Sequence, residues 1–176
     1  MNRERSVGAV VLLDLPGQER RAIVQIRAAD DSFPGCAQIT IHGKVQKGES
    51  LRDALQRETH EEIREMFERV SMPPPPELEQ LVEHPSQDLH VVGRASDARK
   101  QVASLSLTVR NPHIIDFLRP LIAENVIRLI SSADLQQIVV INPRDPDQKK
   151  NGVRSGLLGM FEDERAVLHH LLVEEH

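Results

Sequence analysis

The sequence predicts an α/β domain, a mixed β-sheet sandwiched between α-helices in an α/β/α arrangement. Two observations predict it. Apolar, β-branched runs such as "SVGAVVLLD" (6–14), "RAIVQIRA" (21–28) and "VASLSLTV" (102–109) have the composition of strands. Among them stands one long stretch with apolar residues at helical spacing, Leu51, Leu55, Ile63, Met66 and Phe67. The order strands, helix, strands, helix contains no linker rich enough to divide the chain, so residues 1–176 are expected to form a single domain.

Taken in order, "SVGAVVLLD" and "RAIVQIRA" flank a Pro-Gly turn signal, "LPGQER" (15–20), and are expected to pair as a hairpin. "CAQITIHGKV" (36–45) alternates Ile39, Ile41 and Val45 with polar residues and reads as one third strand entering a loop. "KGES" (47–50) is a turn, and Ser50 followed by Asp53 marks a helix start at Leu51. That helix is expected to run to about Val70, where "SMPPPP" (71–76) stops it, because proline lacks a backbone donor and clashes inside a helix. "LHVVG" (89–93) and "VASLSLTV" are further strands. "PHIIDFLRPLIAE" (112–124) is expected to hold a short helix broken by Pro120, "NVIRLI" (125–130) a strand, and "SSADLQQ" (131–137) a short capped turn of helix. "IVVIN" (138–142) is another apolar run, "PRDPDQKKNG" (143–152) a mobile polar loop, and "FEDERAVLHHLLV" (161–173) a closing amphipathic helix. The proline tract reads as a stiff spacer rather than an SH3-type ligand.

With 176 residues, 39% of them apolar and 28% charged, the chain has the composition of a globular protein with a real core. A net charge of −5 supplies no bulk attraction to nucleic acid or to an anionic membrane. Cys36 is the single cysteine, which excludes an internal disulfide and fits a reducing compartment. The first apolar run is too short to span a bilayer, so mature structure, no membrane association and a cytoplasmic location are expected. There is no Trp or Tyr, and the phenylalanines are at 33, 67, 117 and 161. Single-strand nucleic-acid binders stack bases on aromatic rings, so no nucleic-acid partner is expected. A homodimer stays open.

The stretch "HGKVQKGESLRDALQRETHEEIRE" (42–65) places Glu58, Glu61, Glu62 and Glu65 on one helix stripe, where like charges repel. Two readings compete. Glu-rich faces are commonly solvated, and here Arg57 can pair with Glu61, and Arg64 with Glu61 or Glu68. Against this, Glu58, Glu62 and Glu65 run along the edge of the apolar face, near the body of the protein, where unpaired carboxylates are costly. Oxygen ligands at i, i+3 and i+4 suit a hard cation, Mg²⁺ or Mn²⁺. Gly43 and Gly48 frame the loop that feeds the helix, and a glycine lets a backbone carbonyl come close.

The same stretch resembles the Nudix signature, Gly-x5-Glu-x7-Arg-Glu-U-x-Glu-Glu-x-Gly-U, in which U is a bulky apolar residue. Gly43, Glu49, Arg57, Glu58, Glu61 and Glu62 all fall in register. At roughly 6–7% usage per residue type, six such matches arise about once in ten million starts by chance. "AIVQIR" (22–27) resembles the strand usually written "vLLvqR", and "FPGCAQITIHGKV" (33–45) the lead-in to the box. The sequence departs from the pattern at Thr59 (first U), Arg64 (final Gly) and Glu65 (final U). Arg64 should let the helix continue where the family usually turns out of it.

This resemblance implies a Nudix fold and metal-dependent hydrolysis of a diphosphate linkage in a small molecule, a nucleoside diphosphate derivative or a related organic pyrophosphate. It implies Mg²⁺, or Mn²⁺, held by Glu58, Glu61 and Glu62, with the Gly43 carbonyl as a further ligand. Arg57 would orient a glutamate, supported by Glu49, and Glu61 or Glu62 would assist as base, so Arg57, Glu61 and Glu62 are the catalytic candidates. The base varies within the family. Glu124 and Asp97 are distal alternatives, each weighed against a plain surface carboxylate. Two other functions fit the same box: a Nudix-fold ligand-binding or regulatory domain with weak catalysis, encouraged by Arg64 and Glu65, and an isomerase of isoprenoid diphosphates, for which no cysteine-plus-glutamate pair can be secured. Substrate markers are weak. "FPG" echoes the coenzyme A–pyrophosphatase lead-in but "CAQITIH" interrupts it, tyrosine is absent, and Pro85 stands alone. The missing Trp and Tyr give weight to a non-nucleotide diphosphate. Outside the box roles, His42 lies beside it, and His60 is expected to be exposed. His169 and His170 read as helix surface rather than zinc ligands, and Cys36 as a small buried filler rather than a nucleophile.

Overall fold

The structure is a computed structural model that describes residues 4–39, 41–78, 89–96, 100–154 and 156–174, and for residues 4, 89–96 and 100–105 the backbone alone. Its first strand, β1 (Glu4–Leu13), carries Val7, Ala9, Val11 and Leu13 to one face and Val10 and Leu12 to the other, all of them buried. A nearly continuous apolar run is what a strand covered on both faces requires. β2 (Arg21–Ile26) pairs antiparallel with it from Val11↔Ile23 to Leu13↔Arg21, so the hairpin forms at its turn end.

Beyond that short paired base, the segment expected as one third strand divides in two. β3 (Ala37–Ile39) pairs antiparallel with β2, and β4 (Ile41–Lys44) pairs antiparallel with β1. The alternation of Ile39 and Ile41 reports burial, and both are buried, but it carries no information about which neighbour each half takes. β6 (Lys100–Val109) lies parallel along the whole of β1, β5 (Leu89–Ser96) is antiparallel to β6, and β7 (Ile127–Ile130) is antiparallel to β2. The described strands thus make a seven-stranded mixed sheet in the order β3-β2-β1-β6-β5, with β4 on β1 and β7 on β2.

Helices cover both faces. α1 (Leu51–Glu68) and α2 (Ile114–Ala123) pack with Val7, Val11 and Leu13, while α3 (Ser132–Leu135) and α5 (Glu162–His169) pack with Val10 and Leu12. The expected α/β/α sandwich is therefore present. Ahead of α1, Gly48 takes φ +80 in the turn, and the Ser50 hydroxyl accepts from Asp53 N at 3.1 Å. α1 passes through Arg64 as expected and ends at Glu68, just ahead of the proline tract. Thr59, standing where an apolar residue is usual, is buried. Its hydroxyl bonds the Leu55 carbonyl at 2.6 Å, which satisfies the polar atom inside the core.

Two further expectations need correction. Pro120 does not break its helix but sits inside α2, whose Ile114, Leu118 and Leu121 are all buried. Burying three such side chains, each contributing about 1.5–3 kcal/mol, outweighs a proline near the helix end that costs about 3 kcal/mol. The polar run 143–152 is no loop throughout: α4 (Pro146–Asn151) forms there, capped by the Asp145 side chain on Asp147 N and Gln148 N, with proline at its first turn. The apolar run "IVVIN" supplies β8 (Val139–Val140), paired parallel with β9 (Gly159–Met160) in a separate ribbon. Two-residue strands are too short to show a period. After α5 the chain continues as a π-helical turn, His170–Glu174. Among the described residues no helix is long and apolar enough to cross a membrane.

Phe67, fully buried on α1, anchors the helix to the sheet. Phe67→Ala is expected to lower unfolding free energy by about 3–5 kcal/mol, read from denaturant melts.

Candidate active site

The box residues meet where α1 crosses β4. A Cβ built on Gly43 would fall on the Glu58 carboxylate, so only glycine leaves room for that side chain against the strand. Glu58 is 12% exposed there. Beside it, the Arg57 guanidinium grips Glu49 with two bonds, Nε to Oε2 at 2.9 Å and Nη2 to Oε1 at 3.0 Å. The same group donates to Glu58 Oε1 at 2.7 Å, to Glu61 Oε1 at 3.5 Å and to the Lys44 carbonyl at 2.8 Å. Glu49 in turn accepts from Gln46 N at 2.9 Å, which closes the loop between β4 and α1. The hydrogen bonds from Arg57 hold the Glu49 carboxyl down to about 2, and those from Arg57 to Glu49 and Glu58 push the guanidinium further up.

Glu62 lives in a different environment. Its Oε2 accepts from Gln25 Nε2 at 2.7 Å, and its side chain borders an apolar cavity of about 30 Å³ lined by Val11, Ile23, Ile41, Ile63 and Met66 among others. Burial pushes its pKa up to about 7; the Gln25 hydrogen bond works against that rise, while the charges of Glu65, Glu58 and Glu61 add to it. Gln25 was not a candidate from the sequence. The available signal was a lone glutamine in the apolar run "RAIVQI" of a central strand.

Among the described residues, no three His, Cys, Asp or Glu side chains already converge as a ready metal cage. Glu58 faces Arg57, and Glu62 faces Gln25. The donor set still fits a hard cation. It is oxygen-only, the Glu58 carboxylate is cradled against the Gly43 backbone, and the mutual repulsion felt at Glu62 is what a divalent ion would relieve.

The remaining candidates are scattered. Glu61, with its side chain 45% exposed, lines an open groove of about 410 Å³ on the solvent side of α1 with Arg57, His60 and Arg64. His60 is half-buried, not exposed as expected, and lines the same groove. Arg64 is exposed and, among the described residues, forms no ion pair with Glu61 or Glu68. Glu65 is exposed. Glu124 caps the end of α2, exposed, and Asp97 and Pro85 lie outside the described residues. Cys36 is fully buried and burial pushes its thiol up, as befits a filler. His169 and His170 sit on the helix surface, both against Glu174.

Residues 2–101 match the family model described as the NUDIX domain. The chain belongs to the NUDIX domain family, and that membership supports a pyrophosphohydrolase-type function. Among solved structures, a mutT/nudix family protein from Listeria innocua is similar over 99% of this chain and 98% of its own, at 13% identity and a TM-score of 0.52. The Nudix hydrolase RenU from M. smegmatis is similar over 97% of this chain and 87% of its own, at 11% identity and a TM-score of 0.46. A Deinococcus radiodurans protein shares 18% identity over 62% of this chain and 57% of its own, with a TM-score of 0.40. At 13% identity the likeness to the Listeria innocua protein is one of fold. No curated protein matches the sequence.

Two outcomes are expected of this geometry. Gly43→Ala drives a methyl into the Glu58 carboxylate and should weaken Mn²⁺ binding roughly tenfold or more, measured by calorimetric titration. The Glu62 carboxyl titrates at about 7 when folded, against an ordinary value of 4.5, so the folded state holds its proton longer than the unfolded chain does. Stability of the metal-free protein should therefore fall as pH rises from 4.5 to about 7. The loss is about 2 kcal/mol once partial exposure is allowed for, and Glu62→Gln should abolish that slope in denaturant melts.

Proposed function

We propose that the chain is a divalent-metal-dependent pyrophosphohydrolase that cleaves the diphosphate linkage of a nucleoside diphosphate derivative or a related organic pyrophosphate. One observation carries this reading: Arg57 joins Glu49, Glu58 and Glu61 while Glu58 rests on Gly43, so five box residues form one constellation.

A diphosphate is anionic and the site is acidic, so the substrate needs a cation between them. Mg²⁺ or Mn²⁺ would be held by Glu58, Glu61, Glu62 and the Gly43 carbonyl. Such an ion neutralises phosphate oxygens and lowers the pKa of a water that attacks phosphorus. Arg57 keeps Glu58 and Glu49 in place. Glu61 or Glu62 would take the proton of the attacking water. The ligand is a small molecule, and the protein works as a single domain in a reducing, cytoplasmic setting.

The test is a hydrolysis screen with Mg²⁺ or Mn²⁺ across nucleotide sugars, dinucleotides, deoxynucleoside triphosphates and coenzyme A esters. Turnover of at least one member is expected, with Glu62→Gln lowering it by roughly a hundredfold or more. Thermal stabilisation by a nucleotide sugar without cleavage would point instead to a ligand-binding domain, the reading that Arg64 and Glu65 favour.

A further inference from the structure

We propose that Gln25 is a positioning residue whose buried amide orients the Glu62 carboxylate for a divalent cation. The inference rests on the functional reading above, because it takes Glu62 as a ligand. Gln25 stands in β2 between Val24 and Ile26 and is 6% exposed. An amide buried in an apolar strand is unfavourable unless it is hydrogen-bonded. Here its Nε2 donates to Glu62 Oε2 at 2.7 Å. The strand itself is held firmly, with β3 and β7 both pairing at this residue, opposite Gln38 and Ile127. A donor on so fixed a backbone transmits the geometry of the sheet to the helix carboxylate.

Among the other described residues lining the cavity beside Glu62, Val11, Ile23, Ile41, Ile63 and Met66 offer no polar side-chain atom, and the Thr59 hydroxyl is already given to the Leu55 carbonyl at 2.6 Å. The chemistry of the donor also matters. Arg57 holds Glu58 with a full positive charge, which competes with a cation for that carboxylate. Gln25 is neutral, so it restricts the Glu62 side chain without cancelling the charge that would bind the ion. One lone pair of Oε2 is used, and Oε1 is left for coordination.

The test uses Gln25→Met, which keeps length and volume but removes the donor, with Gln25→Leu as a second donor-free variant. Mn²⁺ affinity of the unloaded protein, followed by calorimetry or by the electron spin resonance of free Mn²⁺, is expected to fall about 10–100-fold. In a Glu62→Gln background the same change should have little further effect, since the carboxylate that Gln25 orients is already gone. A merely structural role would instead lower affinity by the same factor in both backgrounds. Unchanged Mn²⁺ binding in both donor-free variants, or additive losses, overturns the proposal while leaving the functional reading intact. Failure of the natural protein to bind Mn²⁺ overturns both.

Discussion

The site depends on one guanidinium. Arg57 reaches two carboxylates on its own helix, a third in the preceding loop, and a carbonyl at the end of β4. Without a cation at that point, Glu49, Glu58 and Glu61 would repel one another across the junction of strand, loop and helix. Arginine suits the task because its planar fork donates in several directions while staying charged. The geometry of the loop, the start of α1 and the seat of Glu58 on Gly43 are therefore one linked arrangement, not separate features.

The sheet supplies the other half. β4 delivers Gly43 to the first half of α1, and β2 delivers Gln25 to its middle, because both strands pair with β1. The two acidic partners on α1 consequently sit in unlike surroundings. Glu58 faces a cation, and Glu62 faces a neutral amide and an apolar wall. Local charge balance near the loop and charge frustration deeper in the sandwich coexist on one helix. In those surroundings burial pushes the Glu62 carboxyl up to about 7.

Much of this was legible along the chain. The covered strand "VGAVVLL", the cap at Ser50, and the stop ahead of "SMPPPP" depend on neighbours within a few residues, and each is found in the structure. The box residues are legible for the same reason, since their spacing along one helix is itself the signal. What misled the reading was a local rule overridden by packing. Pro120 stays helical because Ile114, Leu118 and Leu121 are buried, and a polar run becomes α4 because Asp145 caps it. Arg64 had two acidic neighbours at helical spacing and pairs with neither among the described residues, since exposed pairs gain too little to be fixed.

The sequence by itself determined the sandwich class, the helix of the box and which residue types line it, because periodicity, caps and motif spacing act over short distances. Only the tertiary structure decided that 36–45 splits between two strands, that Glu62 meets an amide from β2, and that an apolar cavity lies beside it. Those outcomes depend on which strands become neighbours across gaps of tens of residues. No local pattern encodes that choice, and the surroundings of a carboxylate, hence its charge, follow from it.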